Sequence, residues 1–158
     1  MQAESARMNS RAEARFRIQE PNSKPRTIKV IALDQGSEPI VKRVAERTWQ
    51  NAKFLSAAAF PAAARDFSGQ PKDLTEEIES ADLIVMVASP GGEAHAASVI
   101  GEACSARRIM TTALVIGSNR TSEDAVSKTL AQLRPWSLML VAADPDDYIE
   151  GMLTALRA

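Results

Sequence analysis

The chain has 158 residues, 45% of them hydrophobic and 25% charged, with a formal net charge of −1 and a single cysteine. That is the size of one domain with a sizeable core, and the single cysteine excludes an intramolecular disulfide framework and a four-cysteine zinc site. With one histidine, His95, no histidine cluster can hold a metal, and four Phe, two Trp and one Tyr are too few for a platform that stacks single-stranded nucleic acid.

The charge is unevenly spread. Residues 1–30 carry seven basic side chains against three glutamates, so the near-neutral total hides a basic start on an acidic body. Such an arm can dock on nucleic acid, an anionic lipid or an acidic partner, or remain a solvated tail. It has no apolar stretch of secretory length, and no run of about 18 apolar residues occurs, so a cytoplasmic protein without a membrane span is expected. Pro21-Asn22-Ser23-Lys24-Pro25 reads as a linker. The expected division is a basic arm and Pro-rich linker over residues 1–26 and a folded body over 27–158. Within the arm, Ala3 to Gln19 has the spacing of a marginal helix.

From Ile28 the pattern alternates. Ile28 to Leu33 is a β-branched run, and a turn at Asp34-Gln35-Gly36-Ser37 leads to a helix with Pro39 in its first turn, expected to reach about Asn51. A weaker strand is expected over Phe54–Phe60 and a short acidic helix over Asp73–Ser80. Leu83 to Ala88 is unbroken apolar sequence, the mark of a strand buried on both faces. Ser89-Pro90-Gly91-Gly92 then opens a small-residue helix, expected over Ala94–Arg107. A strand over Thr112–Ile116 ends at Gly117-Ser118-Asn119, and Ser122 caps a helix to about Leu133. Leu138–Ala142 and Asp146–Leu156 close the chain as strand and helix. This alternation predicts an α/β fold: one three-layer Rossmann-like domain, with about five mostly parallel strands and helices on both faces.

In such sheets ligands bind beyond the carboxyl ends of the strands. The candidate ligand-binding residues are therefore Gly36, Ser37, Ser89, Gly91, Gly92 and Ser118. The first loop has one glycine where a dinucleotide loop needs three, no lysine of a phosphate loop, and Asp34 and Glu38 where a phosphate would sit. At the second, Gly91 and Gly92 can turn backbone N–H groups toward an anion. Nearby, His95 is placed one turn into the helix. If the chain is an enzyme, His95 is the acid–base and Glu93 its orienter; otherwise no catalytic residue is assigned. Cys104 reads as core, and Trp49, Pro135 and Trp136 as packing residues. Asp144, Asp146 and Asp147 read as a helix start rather than a Mg²⁺ site, so no metal is assigned.

The order of these pieces resembles the GTP-binding domain of the tubulin/FtsZ family. Ile28-Lys29-Val30-Ile31 with its loop and the Val41-Lys42-Arg43-Val44 helix is similar to that family's first strand, glycine loop and helix. Ala81 to Ala88 followed by Gly91-Gly92 is similar to the strand that carries its glycine signature, and Ile109–Ile116 and Leu138–Val141 to its next strands. The resemblance spans about residues 28–145 and implies a nucleotide-binding fold, with GTP or another nucleotide as the ligand. Here, however, only Gly36 stands in the first loop, and the signature is reduced to Gly91-Gly92 followed by Glu93-Ala94-His95. Ala88 to Glu93 is also similar to the serine-rich turn of phosphosugar-binding isomerase (SIS) domains, which implies a sugar phosphate held by Ser37, Ser89 and Ser118. The expectation is a degenerate nucleotide-binding fold acting as subunit or regulator through protein contacts, with a protein partner or a second copy and with nucleic acid not expected. The alternative is a small enzyme or sensor for a sugar phosphate or purine nucleotide.

Overall fold

The computed structural model describes residues 26–117, 121–143 and 147–158. The expected arm, Ser118, Asp144 and Asp146 lie outside them, apart from Arg26.

Seven strands form one sheet: β1 (Ile28–Ala32), β2 (Ala52–Ser56), β3 (Ala64–Asp66), β4 (Pro71–Lys72), β5 (Leu83–Ala88), β6 (Met110–Ile116) and β7 (Met139–Ala143). Their order is β4-β3-β2-β1-β5-β6-β7. The five strands β2, β1, β5, β6 and β7 run parallel, and β3 and β4 add an antiparallel edge. The expectation of about five strands thus matches the parallel part. The extra hairpin escapes the sequence pattern, because Ala64-Arg65-Asp66 and Pro71-Lys72 are too short to show alternation. Its turn is organised by the Asp66 carboxylate, whose Oδ1 accepts from Ser68 N–H (3.0 Å), Ser68 Oγ (2.7 Å) and Gln70 N–H (2.9 Å). The hydroxyl of Ser68 is the chief cause that holds the Asp66 carboxyl below its ordinary range.

Among the described residues five α-helices cover the sheet: α1 (Glu38–Ala45), α2 (Leu74–Glu79), α3 (Ala97–Arg107), α4 (Glu123–Leu133) and α5 (Tyr148–Ala155). On one face Ile78 of α2, Ile100 and Cys104 of α3 and Leu133 of α4 pack on Ile31, Ile84, Met86, Ala113 and Val115. On the other, Val41 and Val44 of α1 and Ile149 and Leu153 of α5 pack on Val30, Val85, Leu114 and Ile116. Each Val, Leu, Ile or Met side chain among these, taken from water, contributes about 1.5–3 kcal/mol before entropy is counted. Two apolar cores separated by a parallel sheet make this a three-layer Rossmann-like α/β domain.

Several boundaries differ from the sequence reading. Helix α1 stops at Ala45 rather than Asn51, because Trp49 folds back and its Nε1 donates to the carbonyl of Val44 at 2.8 Å, satisfying a helix-end acceptor. Strand β2 spans Ala52–Ser56, so Phe60 belongs to the connection that follows. Helix α3 begins at Ala97, which leaves His95 on the loop before it rather than one turn inside. Helix α4 starts as expected: Ser122 Oγ accepts from Ala125 N–H at 3.2 Å. A short 3₁₀ turn (Arg134–Trp136) then leads toward β7.

Candidate functional site

The chain leaves β1 toward β2 on one side, then returns past β1 to β5 and continues toward β7. The strand order therefore reverses between β1 and β5, and the loops that follow these two strands flank the crevice in which such sheets place ligands. The first loop is Leu33 to Ser37; the second runs from Ser89 to Ala96.

Asp34 dominates this crevice. It is 5% exposed, and its carboxylate spans the two loops. Its Oδ1 accepts from the Ser37 N–H at 2.7 Å and the Ser89 hydroxyl at 3.0 Å, and its Oδ2 accepts from the Ser89 N–H at 2.9 Å. A buried carboxylate is stable only with such donors, and charge-assisted bonds of this kind are the stronger ones. Ser37 is fully buried and its hydroxyl bonds to the Asp34 backbone, donating to the carbonyl at 3.0 Å. The two glycines allow the loops to close. A Cβ on Gly36 would overlap the Ser89 hydroxyl, and one on Gly92 would overlap the Asp34 carboxylate.

Two further donors of the second loop are also engaged. Gly91 N–H donates to Thr129 Oγ1 of α4 at 2.9 Å, and Gly92 N–H donates to the carbonyl of Ser89 at 3.1 Å. Thr129 is buried and donates its own proton to the carbonyl of Ala125 at 3.1 Å. Glu38 turns away from the crevice, its Oε1 accepting from Ser56 Oγ at 2.8 Å.

Five of the sequence-expected ligand residues, Gly36, Ser37, Ser89, Gly91 and Gly92, thus meet at the switch point, and their polar groups are bound chiefly by Asp34 and Thr129. The sixth, Ser118, lies outside the described residues. His95 and Glu93 do pair, with Nε2 2.9 Å from Oε2, but their side chains are 59% and 81% exposed, so they project to solvent from the loop. The charge of Asp34 and its place at a helix start are visible in the sequence. Its reach across 55 positions to Ser89 is not, and neither is the part played by Thr129. The only signal for Thr129 is a hydroxyl on the inner side of an otherwise apolar helix face.

Cys104 is core, as expected; burial pushes its thiol up to about 11, so it is unreactive at neutral pH. Among the described residues no group of three or more His, Cys, Asp or Glu is placed to hold a metal ion, and no helix is long and apolar enough to cross a membrane. A cavity of about 680 Å³ lies at the opposite end of the strands, between α3, the start of β6 and the 3₁₀ turn.

Fold and crevice together define a Rossmann-like α/β domain whose switch point is bridged by its own carboxylate. No protein-family model matches the sequence, and no curated protein does. A similar solved structure is that of translation elongation factor SelB from Methanococcus maripaludis in complex with the GTP analogue GppNHp. The two share 9% identity and superpose with a TM-score of 0.47, over 85% of this chain and 34% of the other, so the chain spans about a third of that protein's length.

Proposed function

We propose that this domain is a binding module, a subunit or regulator that works through protein contacts on a nucleotide-binding type of scaffold from which the phosphate cradle is missing. One observation carries the reading: the Asp34 carboxylate takes up the donors that an incoming anion would need. A phosphate entering the crevice meets a buried negative charge, and it finds the N–H groups of Ser37, Ser89, Gly91 and Gly92 already bonded. Any residual anion site rests on the loop at Gly91 and Gly92. On this reading the likeness to tubulin/FtsZ domains is one of scaffold, and GTP turnover does not follow from it. The basic arm of residues 1–26 is the element suited to an acidic partner, and the protein works in the cytoplasm.

The test is calorimetric titration with GTP, with and without Mg²⁺. The expected dissociation constant is no tighter than millimolar, equivalent to about −4 kcal/mol. Micromolar binding overturns the reading.

The second reading, a small enzyme for a sugar phosphate or nucleotide, is favoured only by the His95–Glu93 contact. It expects His95→Ala to abolish turnover of a sugar phosphate while leaving the melting temperature unchanged. Because both side chains are exposed, any turnover that survives the substitution removes this reading.

A further inference from the structure

We propose that the cavity at the amino ends of the strands binds a small amphipathic monocarboxylate, an apolar chain or ring whose single carboxylate is received by Arg108. The site lies at the far end of the sheet from the Asp34 crevice and does not depend on how that crevice is read.

Its walls come from elements that the fold locks together. Gly101 of α3 lies so close to the 3₁₀ turn that a Cβ there would stand 2.6 Å from the Cβ of Trp136. Past the turn, the Leu138 N–H donates to the carbonyl of Thr111 at 3.0 Å and to its hydroxyl at 3.2 Å. The Ser137 hydroxyl donates to the carbonyl of Leu133 at 3.0 Å. Helix, turn and β6 are thus held relative to one another, and the space of about 680 Å³ between them is preformed. That volume is in the range of small-molecule pockets. The lining is mainly apolar, with Ile109, Met110, Pro135, Trp136 and Leu138. Leu138 and Met110 are 74% and 49% exposed, so their side chains surround the cavity without filling it.

Arg108 sets the chemistry of the ligand. It lines the cavity, and among the described residues its guanidinium has no hydrogen-bond or ion-pair partner. The backbone beneath it makes the choice of arginine informative. Helix α3 closes with two reversed bonds, from Arg108 N–H to the carbonyl of Ser105 at 3.3 Å and from Ile109 N–H to that of Cys104 at 2.9 Å. This turn holds Arg108 at φ 56°, a conformation that glycine takes freely and arginine only with strain. The helix end does not need the extra charge, because Arg107 stands in the last turn and its Nη1 donates to the carbonyl of Ala103 at 3.3 Å. A free cation kept at a glycine position beside an apolar cavity is complementary to a carboxylate with an apolar body. Glu102 lines the same cavity and has no partner among the described residues either. The charges of the lining therefore cancel, which disfavours a doubly charged head group such as a phosphate monoester.

The experiment is calorimetric titration of the full chain with hexanoate, octanoate and decanoate, with octanol and octyl phosphate as the neutral and doubly charged comparators. The expected result is a submillimolar dissociation constant for decanoate and an affinity that rises about threefold per added methylene. Octanol and octyl phosphate bind more weakly than octanoate. Arg108→Gly relieves the backbone strain, so its Tm rises while its affinity for decanoate falls about tenfold or more. Arg108→Gln keeps the side-chain bulk without the charge and loses the same affinity, and Leu138→Asp, at an exposed wall position, weakens decanoate as well. No binding of decanoate at millimolar concentration overturns the proposal, as does an affinity that Arg108→Gly and Arg108→Gln leave unchanged. Octanol or octyl phosphate binding as tightly as octanoate also overturns it. A fall in Tm for Arg108→Gly has the same force, since the arginine would then serve the fold. None of these outcomes bears on the GTP titration, which decides the reading of the crevice alone.

Discussion

Asp34 shows how one side chain can change what a crevice is for. Its carboxylate stands where strand order reverses and satisfies two backbone N–H groups and a hydroxyl that would otherwise face a ligand. Asp34→Ala leaves those donors unpaired and buried, so urea denaturation is expected to show a loss of about 2–3 kcal/mol. Sulfate or phosphate should recover part of that loss in the variant and much less in the wild type, because only the variant has vacant donors. Thr129→Val, of nearly equal volume, removes the acceptor of the Gly91 N–H and is expected to cost about 1–2 kcal/mol. Cys104 adds a pH dependence with a definite sign. Its thiol is raised from 9.0 to about 11 in the fold, so above pH 9 the unfolded chain sheds this proton while the native chain keeps it. The contribution is complete below pH 9 and is lost as pH rises toward about 11, at most about 2–3 kcal/mol. The difference in stability between wild type and Cys104→Ala, followed by denaturation from pH 8 to 11, should narrow over that window.

At the scale of elements, most of the fold is legible in the sequence, and the exceptions have physical reasons. Strand β5 has the expected bounds because a strand covered on both faces tolerates only apolar residues, and Leu83–Ala88 is such a run. Helix α1 reads too long in the sequence because apolar spacing continues to Trp49, whereas the indole there turns back to end the helix. The β3–β4 hairpin follows from the Asp66 turn, a side-chain device with no periodicity. The loops of the crevice can be named from the sequence, but the Asp34–Ser89 bonds cannot, since they depend on β1 and β5 being neighbours. The same holds for Lys29, which breaks the apolar run of β1 and yet is 1% exposed. Its Nζ lies 2.6 Å from Glu77 of α2, so this pair ties helix to sheet. Lys29→Ala leaves a cavity and a poorly solvated carboxylate and is expected to cost about 3 kcal/mol. Lys29→Met with Glu77→Gln should recover most of that, and a double-mutant cycle measures the coupling.

For the whole molecule, the sheet orders its surfaces by role. The carboxyl ends of β1 and β5 are closed by internal hydrogen bonds, the β4 edge is blunted by Pro71 and Lys72, and among the described residues the β7 edge has no second strand neighbour. We propose that the arm ahead of the domain is dispensable for folding, since β1 draws both its strand neighbours from residues 52–88. Removing residues 1–25 is expected to shift stability by no more than about 0.5 kcal/mol, read as a nearly unchanged Tm, while abolishing capture of an acidic partner.

The bridge from Asp34 to Ser89 also bears on how long the native state lasts. It joins residues 55 apart, and its geometry exists only once β1 and β5 have aligned Ile28 with Leu83 and Ala32 with Val87. A contact so dependent on finished pairing is expected to form after the barrier to folding has been crossed. Its loss should therefore leave the refolding rate nearly unchanged and appear almost wholly as faster unfolding. For Asp34→Asn, stopped-flow chevrons should keep the folding arm in place and raise the unfolding arm, so that the bridge acts as a latch on the lifetime of the closed crevice.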